Sequence, residues 1–177
     1  MWVRPFAAAL LALSAAAYAQ SEDVALGEEE GVVALRDYGP RHSALNTVLG
    51  GARVPPDERD RLRGQTYDVA VTSLDAYAER TGLVPDVVKL DAEGAELAIL
   101  RGMAGLLATA APKLVLETGD YDDMDSPATA ASIELLEGHG YRAYEDVDGT
   151  LQPHRPRDRY AYGNLFFVKD APRATEG

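Results

Sequence analysis

The sequence predicts an α/β fold in which strands and helices alternate along a mainly parallel sheet. Val84 to Leu90 is a nearly continuous apolar run rich in valine, typical of a strand buried on both faces of a parallel sheet. An amphipathic stretch and a second short apolar run, 114–116, follow it, so strand, helix and strand succeed one another. Near the C terminus, Asp148-Gly149 is a turn signal that predicts an antiparallel hairpin at one edge of the sheet.

The elements before the valine-rich run are shorter. Residues 23–26 and 31–38 are predicted to form two strands, joined by a turn at Gly27 and the acidic run 28–30. The region from Gly39 to Tyr67 contains Gly-Gly and Pro-Pro pairs and many charges, which indicates a long loop. Long loops in compact domains are often functional, so this region could serve as a lid or a substrate-facing insertion.

A strand over 68–71 leads into a short helix. Thr72 or Ser73 can cap this helix, which is predicted to run to Arg80 with Gly82 just beyond its end.

The second half of the chain continues the alternation. Apolar residues spaced three or four apart predict a helix over 95–108. Ser126 and Pro127 suit the cap and first position of a further helix that ends near Glu137. The last two predicted strands cover 141–147 and 164–169.

Composition narrows the class of protein. The 177 residues suit one domain, assigned to 21–170 with a short tail over 171–177. A net charge of −12 repels phosphate backbones, so no nucleic-acid partner is expected. The chain has no cysteine, which excludes disulfides and thiolate zinc sites, and its three histidines are far apart in sequence. No metal site is therefore predicted.

The first twenty residues allow two interpretations. A basic start, an apolar run and Ala17-Tyr18-Ala19 have the order of a secretory signal peptide, which would make the protein exported. Alternatively, Pro5 begins a helix of the domain itself that extends to Tyr18. We favour the domain helix and a cytoplasmic protein. In either case the run is too short for a stable membrane span.

Three carboxylates carry the candidate chemistry. Asp91 and Glu93 directly follow the valine-rich strand, and Glu117 ends the next one. Because ligands of open α/β sheets bind outside the carboxyl ends of the strands, these groups could orient a hydroxyl, act as a general base or face a positive charge. Acidic residues are also favoured in a first helical turn by the helix dipole, and Glu96 is expected to cap or pack the helix.

The flanks of these carboxylates resemble the FkbM family of methyltransferases. Four separated stretches agree with the family in order: Val71-Thr72-Ser73-Leu74-Asp75, Val88-Lys89-Leu90-Asp91-Ala92-Glu93-Gly94-Ala95-Glu96, Ile99-Leu100-Arg101-Gly102 and Pro112-Lys113-Leu114-Val115-Leu116-Glu117.

The resemblance implies a Rossmann-like class I methyltransferase fold and S-adenosylmethionine as the cofactor. It implies methyl transfer to a hydroxyl oxygen of a small-molecule acceptor, a sugar or a polyketide-like natural product. Asp91 is then expected to be the catalytic base or orienter, with Glu93 close to cofactor or substrate and Glu117 beside them.

The chain departs from the family at the cofactor motif. The glycine-rich turn, near Asp-x-Gly-Ala-x-x-Gly, is not found before Asp23, and no acidic residue precedes Pro5. No cofactor-binding residue is therefore assigned. We expect the first strands of the fold to be missing and cofactor binding to be weak, which keeps open a non-catalytic, possibly exported α/β binding module. The acidic run 119–125 is expected to be a solvated loop near the substrate rather than a calcium site.

Overall fold

The computed structural model describes residues 11–12, 24–37, 65–92, 94–119 and 128–169. Within these ranges the strands are β1 (Leu11–Ala12), β2 (Ala25–Leu26), β3 (Gly31–Asp37), β4 (Gln65–Thr72), β5 (Val87–Leu90), β6 (Lys113–Thr118), β7 (Tyr141–Val147), β8 (Thr150–Pro153) and β9 (Gly163–Lys169). The helices are α1 (Leu74–Thr81), α2 (Glu96–Arg101), α3 (Ala104–Thr109) and α4 (Ala128–Gly138).

The larger sheet is mixed, which corrects the prediction of a mainly parallel one. Its six strands lie in the order β1-β5-β6-β9-β7-β8, and only β5 and β6 pair in parallel. The physical reason is the position of β9, which lies between β6 and β7 and is antiparallel to both. The α/β class is confirmed, but most pairings in this sheet are antiparallel.

The hairpin turn at Asp148 and Gly149 is confirmed. Both residues have positive φ, 53° and 81°, as a two-residue hairpin turn of this kind requires. The turn connects β7 to β8, and β8 forms the edge of the sheet. The last strand, β9, is interior and not part of the edge hairpin.

The hydrophobic core lies between one face of this sheet and the helices. Alternate residues of β5 and β6 are buried, and they meet Leu100, Leu107 and Leu136 from α2, α3 and α4. Phe167 on β9 is 0% exposed within the same cluster. The residues between these core positions, including Lys89 and Glu117, therefore point to the opposite face.

The smaller sheet has the order β2-β4-β3. The two short strands predicted near 23–26 and 31–38 are confirmed as β2 and β3 within the described residues. β4 begins at Gln65, so the loop predicted from Gly39 to Tyr67 is wrong for its last three residues; residues 38–64 lie outside the described ranges. The strand grows longer than predicted because its residues pair along the whole of β3.

Helix α1 has the predicted ends. The Ser73 hydroxyl accepts a hydrogen bond from the Ala76 N–H at 3.1 Å, and Gly82 adopts φ 72° just past the last turn.

The helix predicted over 95–108 is divided into α2 and α3, which corrects that prediction. The break falls at Gly102 and Met103. Asp75 explains it: its backbone N–H donates to the Gly102 carbonyl at 3.0 Å. Its carboxylate accepts hydrogen bonds from the N–H groups of Gly105 and Leu106, at 2.7 and 2.9 Å. These bonds satisfy the first turn of a new helix.

Other boundaries shift by a few residues. The valine-rich strand starts at Val87 and not at Val84, which is 57% exposed. Helix α4 ends at Gly138, close to the prediction, while its predicted start at Ser126 and Pro127 lies outside the described residues. The tail 171–177 lies outside them too.

The N-terminal segment differs from the expected helix where it is described. Leu11 and Ala12 are extended and pair antiparallel with Val88 and Val87 of β5. This pairing satisfies backbone groups along an edge of β5 that would otherwise be open. The remainder of the first twenty residues lies outside the described ranges, so the signal-peptide alternative stays untested. No helix in the described part of the chain is both long and apolar enough to cross a membrane.

Candidate functional site

Asp91 and Glu117 lie side by side at the carboxyl ends of β5 and β6. The parallel register pairs Leu90 with Leu116, so the two acids follow at the same level of neighbouring strands. Their carboxyl groups are close enough to share a hydrogen bond. The structure thus brings together two of the three carboxylates selected from the sequence. The third, Glu93, lies outside the described residues.

Lys89 completes an ion pair at this site. Its Nζ lies 2.5 Å from Oδ2 of Asp91, and both side chains are partly exposed. The hydrogen bond to Asp91 is the main reason that the pKa of Lys89 is raised, with smaller contributions from the charges of Asp91 and Glu117. Lys89 therefore stays protonated at neutral pH and offsets the charge of Asp91.

Glu117 binds its proton more strongly than an ordinary glutamate. Burial is the largest cause of its raised pKa, and the neighbouring charges of Asp91 and Glu96 act in the same direction. A hydrogen bond from Tyr162 opposes them. The two acids therefore differ in environment. Glu117, whose pKa is raised, is the candidate base, and Asp91, which is paired with Lys89, is the candidate orienting group.

Glu96 organises the loop between β5 and α2. Its carboxylate accepts hydrogen bonds from the Ala92 N–H at 2.8 Å and from the Gly94 N–H at 2.9 Å. Gly94 has φ 102°, a conformation that side chains rarely tolerate. The expectation that Glu96 caps α2 is wrong, because no side chain caps this helix and Glu96 instead binds the N–H groups of the turn that precedes it.

Tyr162 is the residue of this site that sequence reasoning missed. It precedes β9, whose residues Gly163 and Asn164 pair with Thr118 and Glu117 of β6. Its phenol bonds to Glu117 although the two are far apart in the chain. No local motif marks Tyr162, because its relation to Glu117 depends on the insertion of β9 beside β6.

A groove between α2 and α4 is separate from the carboxylate site. Its volume is about 400 Å³, and it is lined by residues such as Leu97, Arg101 and Glu134, none of which belongs to that site. Among the described residues, no group of three or more His, Asp or Glu is arranged to hold a metal ion. The acidic run 120–125 falls outside those residues.

Comparison with known families identifies the class of protein. A family model described as the methyltransferase FkbM domain matches residues 5–143. The match covers most of the chain, and the chain therefore belongs to the FkbM methyltransferase family, which confirms the resemblance found in the motifs. No curated protein and no solved structure gives a significant match. The match ends within β7, so β8, β9 and the segment between them lie beyond it.

Proposed function

We propose that the chain transfers a methyl group from S-adenosylmethionine to a hydroxyl of a small molecule, a sugar or a polyketide-like product. The observation that carries the proposal is the meeting of Asp91, Glu117 and Lys89 at the carboxyl ends of two neighbouring parallel strands. This is where ligands bind in open α/β sheets. Membership of the FkbM family supplies the reaction class.

The cofactor would supply an electrophilic methyl group on a sulfonium. Two residues of the chain suit the other half of the reaction. Glu117, with its raised pKa, is placed to take the proton of an acceptor hydroxyl, since a base is most effective when its pKa approaches the working pH. Asp91, held by Lys89, is placed to orient that hydroxyl. The roles divide differently from the sequence-based hypothesis, in which Asp91 was the preferred base.

The fit to the cofactor is partial. The carboxylates at the site suit a nearby sulfonium charge, but the described residues contain no glycine-rich turn beside β5 that would admit the nucleoside. No cofactor-binding residue is therefore assigned. The Rossmann-like class I fold belongs to the same proposal, supported by the parallel pair β5 and β6 with α2 and α3 between them.

The test is calorimetry with S-adenosylhomocysteine, together with transfer of a radiolabelled methyl group to a panel of neutral methyl glycosides and macrolactones. Glu117→Gln should reduce transfer by about 100-fold, within the usual contribution of a general base. Glu137→Gln, at an exposed position on α4, is the matched control and should leave the rate unchanged. Equal rates in the two variants would reject the role of Glu117.

A non-catalytic binding module is the second candidate, and one observation favours it. Leu11 and Ala12 pair antiparallel with β5, at the edge where a parallel strand carrying a cofactor loop would have to lie. Calorimetry separates the candidates. Micromolar binding of S-adenosylhomocysteine supports the enzyme, whereas no heat at millimolar ligand, with acceptor binding retained, supports the module.

A further inference from the structure

Tyr162 combines high exposure with a fixed position beside the carboxylate site. The side chain is 77% exposed, the largest fraction among the exposed large hydrophobic residues of the described chain. Its phenol nevertheless bonds to Glu117, so the ring stands next to the group that we propose as the base.

The backbone on both sides of Tyr162 is attached to β6. The Thr118 hydroxyl donates to the Ala161 carbonyl at 3.0 Å, and Gly163 pairs with Thr118 in the sheet. Thr118 is itself buried, with 5% exposure. The Cα of Tyr162 is therefore held between two anchored neighbours.

A cluster of polar side chains anchors the segment that leads to Tyr162. The hydroxyl of Tyr160 lies 2.9 Å from Nε2 of His154 and accepts a hydrogen bond from the Arg157 N–H at 3.3 Å. On the other side, Nδ1 of His154 is 3.4 Å from Oε1 of Glu145, whose second oxygen is bonded by the Arg157 guanidinium. Because His154 and Tyr160 are almost fully buried and their side chains contact each other, this cluster resists displacement of the segment.

We propose that Tyr162 is an acceptor-contacting residue, and that its exposed ring forms one wall of the site against which a neutral, polyhydroxylated ligand lies. The inference rests on the proposed function and adds to it a residue and a ligand chemistry. An aromatic ring that is already held in place loses little conformational freedom when a ligand covers it, which favours binding. The anchoring segment, 154–162, lies wholly beyond the part of the chain that matches the family model.

The ligand chemistry follows from the groups around the ring. Carboxylate oxygens of Asp91 and Glu117 accept hydrogen bonds from hydroxyl groups, while the ring offers an apolar face to C–H groups. A glycoside presents both surfaces at once. Anions are disfavoured by the acidic groups at the site, so a neutral acceptor is the better match.

The experiment measures binding without turnover. The full chain, labelled with ¹³C at glutamate carboxyl groups, is titrated with the methyl glycosides of glucose, mannose, galactose and rhamnose, and the Glu117 signal is followed by NMR. Tyr162→Ala should weaken the Kd of the best glycoside by about tenfold, the usual worth of an aromatic contact. Tyr162→Phe keeps the ring and should weaken glycoside binding by no more than about threefold, the smaller loss expected for one hydrogen bond. Tyr67→Ala, at a 48% exposed tyrosine on β4, is the control and should change nothing.

A second measurement on the same samples tests the contact itself. Because the phenol lowers the pKa of Glu117, Tyr162→Phe should raise that pKa while Tyr67→Phe leaves it in place. An unchanged Glu117 pKa in Tyr162→Phe, or equal Kd values in Tyr162→Ala and Tyr67→Ala, overturns the inference. So does the absence of a shift with all four glycosides. Glycoside binding that depends on Tyr162, in a chain that transfers no methyl group, rejects the proposed function while leaving Tyr162 as a ligand contact.

Discussion

Gly102 lies against the turn between β2 and β3 of the smaller sheet. A Cβ added there would lie 2.0 Å from the Gly27 carbonyl oxygen, and real Cβ atoms essentially never come closer than 3.0 Å to such a neighbour. The φ of Gly102 is −72°, so a side chain is excluded by lack of space and not by backbone conformation. Gly102→Ala must therefore push the two backbones apart by about 1 Å.

The backbone around Gly27 has little room to move away from an added side chain at Gly102. Gly27 donates its N–H to the Thr72 carbonyl at 3.0 Å, and the position of its own missing Cβ is 2.8 Å from the Val71 side chain. Overpacking of this kind costs about 1–3 kcal/mol, and a broken backbone hydrogen bond adds about 1 kcal/mol. We expect a total near 3 kcal/mol, which corresponds to a fall in Tm of about 6–12 °C for a domain of this size.

Thermal unfolding followed by circular dichroism measures this effect, with Gly138→Ala as the matched control. Gly138 is the last residue of α4, and nothing lies within 4 Å of an added Cβ there. The control should be neutral or stabilise by up to about 1 kcal/mol, because alanine is the better helix former. Amide exchange at Gly27 should also accelerate in Gly102→Ala only. If the Tm values of the two variants agree within about 2 °C, the reasoning from the close contact is wrong.

Three further predictions follow from single side chains. Glu117→Gln should raise the Tm at pH 7. Because the pKa of Glu117 is raised in the folded state, the wild-type protein loses stability as pH rises through that pKa. The Tm difference between variant and wild type should vanish below the ordinary glutamate pKa of 4.5. Arg157→Met should lower the Tm at neutral pH, because the Arg157 hydrogen bond is the main cause of the lowered pKa of Glu145. The stability that this hydrogen bond contributes is present above the ordinary carboxyl pKa and is lost as pH falls through the lowered pKa of Glu145. The Tm values of wild type and variant should therefore converge in acid. A Tm difference that stays constant with pH would contradict the prediction. Asp75→Ala should cost about 0.5–2 kcal/mol in urea unfolding through loss of the α3 cap, while Glu79→Ala on the same helix should cost less than about 0.5 kcal/mol.

Local signals in the sequence predicted the elements that local physics controls. Ser73 and Gly82 fixed the ends of α1, since a hydroxyl cap and a left-handed glycine act within one turn. Asp148-Gly149 likewise fixed a turn. The apolar runs of β5 and β6 predicted two neighbouring strands with acids at their carboxyl ends, so the residue pattern alone was enough to select Asp91 and Glu117.

The predictions that were wrong share a physical cause, because each of these elements is shaped by a partner that is distant in the chain. The helix over 95–108 is divided because Asp75, from another helix, caps a second start, and the periodicity of the stretch contains no record of that partner. β4 extends to Gln65 because β3 offers pairing positions along its whole length.

The sequence by itself determined the family, the α/β class and the carboxylates at the ends of two strands, because motif order and hydrophobic pattern are properties of short segments. Only the tertiary structure decided that β9 enters between β6 and β7, which makes most of the sheet antiparallel and sets Tyr162 against Glu117. It also decided that Lys89 pairs with Asp91 and that burial raises the pKa of Glu117 above its ordinary value. Burial and charge at a site are sums over every neighbouring segment, so they exist only once the chain has folded.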